Sequence, residues 1–189
     1  MVYCGFYRAR PAGEIFTQFT PRLRGNALLE FLCGHDPLTG SASNSLIRKS
    51  ACEAVGGYNE SVKTSEDWEF YLRLMREYQV DFAPKPLLRI YEHHGSRLGD
   101  RLRDAAYTEI VVCKEFQDIL ILHPRCYSWY LKTIGGKYCR VGDLEKGRQY
   151  LRRAIAMHPS NGIAYVQCLL SFLGPKVYRM AHRCYKRWR

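Results

Sequence analysis

The amino-acid sequence changes character near residue 98, and that change limits the possible folds more than any other feature. Before it, short runs of β-branched and aromatic residues alternate with brief helical patterns and with turns marked by glycine or proline. After it, apolar residues recur at helical spacing almost to the end, punctuated at Pro124, Gly135–Gly136, Gly142, Pro159 and Gly174–Pro175. Charge divides at the same place. Residues 1–100 hold 12 Lys/Arg and 12 Asp/Glu, whereas residues 101–189 hold 17 and 6. At 47% hydrophobic and 13% aromatic, the 189 residues can bury a core and are too apolar for a disordered chain. The prediction is an α/β region over 1–98 followed by an all-α region over 99–189.

Within the first region, "MVYCGFYR" (1–8) reads as a strand and "RGNALLEFLCG" (24–34) as a helix stopped by glycine. "SASNSLIRKS" (41–50) reads as a short strand, and "ACEAVGG" (51–57) as a brief helix ended by two glycines. Thr64 or Ser65 can cap a helix over about 66–78, with Trp68, Tyr71, Leu72 and Met75 as its buried stripe. "PKPLLRIYEHHGS" (84–96) predicts a proline-marked turn, a short strand and a loop bearing histidines.

The helical region contains a specific spacing. With Ser128 as position one of a 34-residue period, Leu131, Ile134, Gly135, Tyr138, Gly142, Leu151, Ala154 and Pro159 take the large, apolar, small, aromatic and proline positions of a tetratricopeptide repeat. Leu131 stands where that repeat usually has tryptophan, and Gly147 where it usually has alanine at the closest helix contact. One such hairpin (about 128–161) cannot bury its own face, so it is expected to pack on helices from 99–122 and 161–173. A protein partner in a groove of this hairpin, with Tyr138 lining it, is one expectation. The dense basic stretch "KVYRMAHRCYKRWR" (176–189) is another surface, suited to an anionic membrane or simply to solvent. Nucleic acid is the least favoured partner.

The series "SNSLIRKSACEAVGGYNESVKTSEDWEFYLRLMREYQVDFAPKPLLRIYEHHGS" resembles the acceptor-side half of family 2 glycosyltransferases, inverting enzymes of the GT-A fold. That family shows a serine-rich strand ending in an apolar-apolar-Arg-Arg/Lys step, then Gly-Gly-Phe-Asp-Glu, then Glu-Asp-Trp ahead of an amphipathic helix. A proline-leucine strand with a tyrosine and a histidine closes the series. Here the matching pieces are Leu46–Lys49, Gly56–Glu60, Glu66–Trp68, Pro86–Leu88, and Tyr91 with His93 and His94. The resemblance is close over about 55 residues and looser over 1–98.

That resemblance implies transfer of a sugar, with inversion, from a nucleotide-sugar donor to a glycan or lipid-linked acceptor. Such transfer needs a base for the acceptor hydroxyl's proton, a task suited to a positioned carboxylate. The implied base is Asp67, with Glu66 and Trp68 at the acceptor and Gly56 and Gly57 giving the turn that lets it approach. His94, with His93 as alternate, is the implied contact to a metal or diphosphate, although Glu92 stands where the family has arginine. A divalent metal (Mn or Mg) is implied for the complete enzyme. Taken alone, Glu66 and Asp67 read first as an acidic pair favoured by the helix dipole, worth roughly 0.3–1 kcal/mol per charge; the surrounding series is what favours the base role.

The family's Asp-x-Asp metal motif is absent from the sequence, and no glycine-rich phosphate loop replaces it. The expectation is a partial GT-A fold without its nucleotide-binding half, either a truncated and inactive fragment or a non-catalytic helical interaction module on an inherited scaffold. Eight cysteines without a C-x-x-C spacing read as free, buried thiols in a reducing compartment. With no apolar run of roughly 20 residues and no signal-peptide pattern, the expected location is cytoplasmic, peripheral at the inner face of the membrane if the basic tail binds there.

Overall fold

The structure, a computed structural model, describes residues 1–34, 42–91 and 101–187. It divides into two compact units, Met1–Ser61 with Ser65–Ser96, and Val62–Thr64 with Arg97–Arg189.

In the first unit, β1 (Val2–Ala9) anchors a four-stranded mixed sheet. β1 buries Tyr3, Phe6 and Ala9, which at a spacing of three do not all fall on one face of the strand. β2 (Ile15–Phe19) pairs antiparallel with its second half, and Phe6 stacks on Phe19 with ring centroids 4.6 Å apart. β3 (Ser45–Leu46) pairs antiparallel with its start, and β4 (Asp81–Tyr91) runs parallel to it. The prolines predicted to mark a turn lie inside β4 instead. Among the described residues β4 pairs only with β1, and Pro84 and Pro86 fall where the register slips opposite Cys4, Gly5 and Phe6. An edge strand with an irregular ladder spares the N–H groups that proline lacks.

Three helices cover the sheet's chain connections: α1 (Leu28–Leu32), α2 (Lys49–Ala54) and α3 (Glu66–Glu77). α3 buries Phe70, Tyr71, Leu72, Leu74 and Met75, and packs on α1, which contributes Phe31 and Leu32. Trp68, expected in this buried stripe, is only half-buried.

The second unit is all helix in its main chain from α4 (Leu102–Glu115) through α5 (Gln117–Leu122), α6 (Pro124–Val141), α7 (Leu144–Met157) and α8 (Gly162–Phe172) to α9 (Pro175–Arg187). Together the two units make an α/β region followed by a helical one. α6 and α7 form a tight antiparallel hairpin. Gly142, at φ 94°, ends α6 in the left-handed conformation, and the Asp143 N–H reaches the Tyr138 carbonyl at 3.0 Å. Asp143 then caps α7 by accepting the Lys146 N–H at 3.2 Å.

Gly135 and Gly136 do not interrupt α6, contrary to expectation. Each costs about 0.5–1 kcal/mol relative to alanine in a helix, and each serves a close approach. A Cβ on Gly135 would stand 2.8 Å from Leu151 Cγ and 2.9 Å from the Gly147 carbonyl oxygen. A Cβ on Gly136 would stand 3.0 Å from Gln167 Oε1, on α8. Tyr138 is buried and stacked on Tyr150 at 5.8 Å, so its ring packs the hairpin and does not line an open groove. α4 docks on α6 through the buried pair Glu109–Lys137 at 2.8 Å. All eight cysteines are free; Cys113, Cys126 and Cys139 are buried, whereas Cys184 is exposed.

Candidate functional site

The candidate site is built around the start of α3. Ser65 holds the N-cap position with φ 55° and ψ 34°, the left-handed region that a non-glycine residue adopts at a cost of about 1–3 kcal/mol. Its side chain makes no capping hydrogen bond. The carboxylate of Asp67 takes part of that role, accepting the Trp68 N–H at 2.8 Å. A strained residue directly before Glu66 and Asp67 aims the helix start, and such strain concentrates at functional sites.

Asp67 is half-buried, and burial pushes its carboxyl above the ordinary carboxylate value. The Trp68 N–H opposes that rise and the Glu66 charge adds to it. Two phenols lie in the field of Asp67. Tyr58 is raised by burial and then by the charges of Asp67 and Glu66. Tyr71 is pushed up to about 12 by burial, against the Ser45 hydrogen bond, with Asp67 and Tyr58 contributing. Ser45, on β3, donates to the Tyr71 hydroxyl at 2.9 Å, and Tyr71 donates to the Ala42 carbonyl at 3.3 Å. The sheet thereby fixes Tyr71, and Tyr71 fixes one side of the site.

A buried ion pair fixes the other side. Glu69 is fully buried and meets Arg73 one turn on, at 2.8 Å to Nε and 2.9 Å to Nη2. Arg73 Nη2 also donates to the Gly57 carbonyl at 2.7 Å, and Nη1 donates to the Val55 carbonyl. Asn59 adds a long contact to Glu69 at 3.5 Å. Gly56 and Gly57, at φ 79° and 66°, turn the chain out of α2 in a conformation that side chains resist. Tyr58 follows at once, its ring 4.6 Å from that of Phe70 on α3. The Gly56–Gly57 turn is therefore tied to the same helix that carries Glu66, Asp67 and Trp68.

The structure thus ties the Gly56–Gly57 turn through Arg73 to α3, whose first turn carries Glu66, Asp67 and Trp68. His93 and His94 lie outside the described residues. Tyr58 and Ser45 join the site without having stood out in the sequence, although Tyr58 directly follows the glycine pair, and Tyr71 joins it after being read only as part of the buried stripe. Among the described residues no three His, Cys, Asp or Glu side chains gather in a way that could hold a metal ion. The described residues are therefore assigned no metal-binding role.

These features define an α/β domain with a carboxylate pair at the head of its principal helix, followed by a helical region. Residues 23–115, just under half of the chain, match the family model described as glycosyltransferase like family 2, a similarity consistent with part of a family 2 glycosyltransferase-like domain. No curated protein and no solved structure matches the chain.

Proposed function

We propose that the α/β unit is the acceptor side of an inverting sugar-transfer site, with Asp67 as the base that takes the acceptor hydroxyl's proton. The observation that carries this reading is the Asp67 carboxyl itself: half-buried, held at a helix start, raised in pKa by burial, and flanked by phenols. A general base works best when its pKa is moved toward the operating pH, and burial moves a carboxylate in that direction. The half-buried Trp68 offers an aromatic face on which a sugar ring can pack, next to the base in sequence. Glu66, beside it, would accept a further sugar hydroxyl. The donor in this reading is a nucleotide-sugar and the acceptor a glycan or lipid-linked sugar, as the family match suggests. The sequence has no Asp-x-Asp and no glycine-rich phosphate loop, so the acceptor side alone is assigned to these residues.

The test is saccharide binding to the purified chain, followed by NMR of the tryptophan indole signals over a panel of mono- and oligosaccharides. A subset of the panel is expected to shift the Trp68 resonance. Trp68→Ala should weaken binding of those sugars roughly tenfold, the worth of a stacked aromatic face. Asp67→Asn should bind them within a few-fold of the parent, because a base acts on the transition state. A panel that leaves Trp68 unmoved, or Trp68→Ala binding as well as the parent, would sink the acceptor-site reading.

A further inference from the structure

The last two helices expose a surface that the transferase reading does not use. α8 and its C-cap Leu173 leave large apolar side chains in solvent: Val166 is 56% exposed, Leu169 68%, Phe172 61% and Leu173 62%. Met180 on α9, at 63%, adds to them. Solvated aliphatic side chains clustered this densely on one helix mark an interaction surface. The charge around them is one-sided. From Lys146 to the end of the chain the sequence holds ten Lys/Arg and no Asp or Glu. Lys176, Met180 and Arg183 are exposed at helical spacing along α9. Arg148 sits 4.9 Å from the centroid of the Phe172 ring and donates to the Ser171 carbonyl at 3.3 Å, placing a cation at the end of α8.

We propose that the apolar face of α8, with the basic face of α9, docks on the surface of an anionic lipid bilayer. Apolar side chains entering the acyl boundary beside cations on the headgroups are the working parts of an interfacial helix. Each exposed cation gains from the negative surface potential of such a leaflet. The attachment proposed is peripheral; no helix among the described residues is long and apolar enough to cross a membrane. A second copy of the chain fits this face poorly. It would bring a matching set of cations to the contact, and residues 146–189 offer no carboxylate to pair with them. The sequence leaves the basic stretch 176–189 suited to an anionic membrane or simply to solvent; the apolar component on α8 comes from the structure. The inference stands independently of the sugar-transfer reading.

The experiment is co-sedimentation of the full chain with vesicles of phosphatidylcholine alone and of phosphatidylcholine mixed with phosphatidylserine. The chain should pellet with the mixed vesicles and stay in solution with the neutral ones. Leu169→Ser combined with Leu173→Ser should weaken that binding roughly tenfold or more, since two aliphatic side chains no longer enter the apolar phase. Both positions are solvated, and circular dichroism checks that the variant keeps its helices. Lys176→Ala with Arg183→Ala should also weaken binding and flatten its salt dependence. Absence of pelleting with phosphatidylserine overturns the proposal. So does pelleting that the double-serine variant retains in full, which would show charge attraction alone. Loss by that variant of a concentration-dependent dimer in sedimentation velocity, without vesicle binding by the parent, would assign the face to self-association and equally overturn it.

Discussion

Arg73→Met is expected to destabilise the α/β unit by about 3–5 kcal/mol, the usual cost of leaving a buried charge without its partner. Glu69 is fully buried, and its two carboxylate oxygens meet Arg73 Nε and Nη2. Removing the guanidinium strands that carboxylate and also frees the Val55 and Gly57 carbonyls that it holds. Loosening should therefore spread from α3 to the Gly56–Gly57 turn and to Tyr58. Hydrogen exchange of the α3 amides, with denaturant unfolding followed in parallel, reads both effects. Arg73→Met with Glu69→Leu should recover much of the loss, because an apolar pair of similar volume removes the stranded charge. A single-variant loss below about 1 kcal/mol would mean that Glu69 has another route to solvation or pairing.

This pair shows where the sequence is legible and where it is not. The order Gly-Gly, Glu-Asp-Trp and the amphipathic run after it fixes α3 to within a residue or so, because local spacing alone makes that helix. Glu69 and Arg73 stand four residues apart on it, a spacing that carries no information on burial. Their burial depends on Val55 and Gly57, which arrive from another part of the chain. The same holds for Tyr71. Its helical spacing predicts burial, but its role beside Asp67 depends on Ser45 and Ala42, brought in by the pairing of β3 with β1. β4 misleads for a related reason: two prolines signal a turn locally, and only the edge position and register slips of the strand accommodate them. In the helical unit the small residues at Gly135 and Gly147 mark a close helix contact, which the hairpin makes. Tyr138, by contrast, looks available in sequence and is packed in structure.

Gly147→Val is the second large effect, at about 1–3 kcal/mol from overpacking. A Cβ at this position would collide with Cys139 Sγ and would stand 3.0 Å from the Gly135 carbonyl oxygen. The backbone oxygen cannot move without shifting α6, and the sulfur lies in a core with Leu151 and Tyr178. Burial pushes the Cys139 thiol up to about 11, so it stays neutral and its bulk is what matters. The spacing that predicts alanine at 147 meets glycine because the Cys139 sulfur fills the space of the missing methyl. Gly147→Ala should therefore be destabilising alone and clearly less so in a Cys139→Ala background. Thermal unfolding of the four proteins in that cycle measures the coupling. Strict additivity would show that the sulfur is not the obstruction.

The central proposal is that Asp67 is a half-buried carboxylate facing an acceptor hydroxyl. Its folded pKa is raised, so the folded state holds the proton to higher pH than the unfolded chain does. The ionised form therefore costs stability. That cost is absent below the ordinary carboxylate value and is complete once pH exceeds the raised value, the reverse of a salt-bridged aspartate. The most direct measurement is the titration of the Asp67 side-chain carboxyl by carbon NMR, without and with a saccharide that shifts Trp68. The account predicts a midpoint above the ordinary carboxylate range, and a clear displacement of that midpoint when the sugar binds. A carboxyl that titrates like one in free solution and ignores every sugar would contradict it.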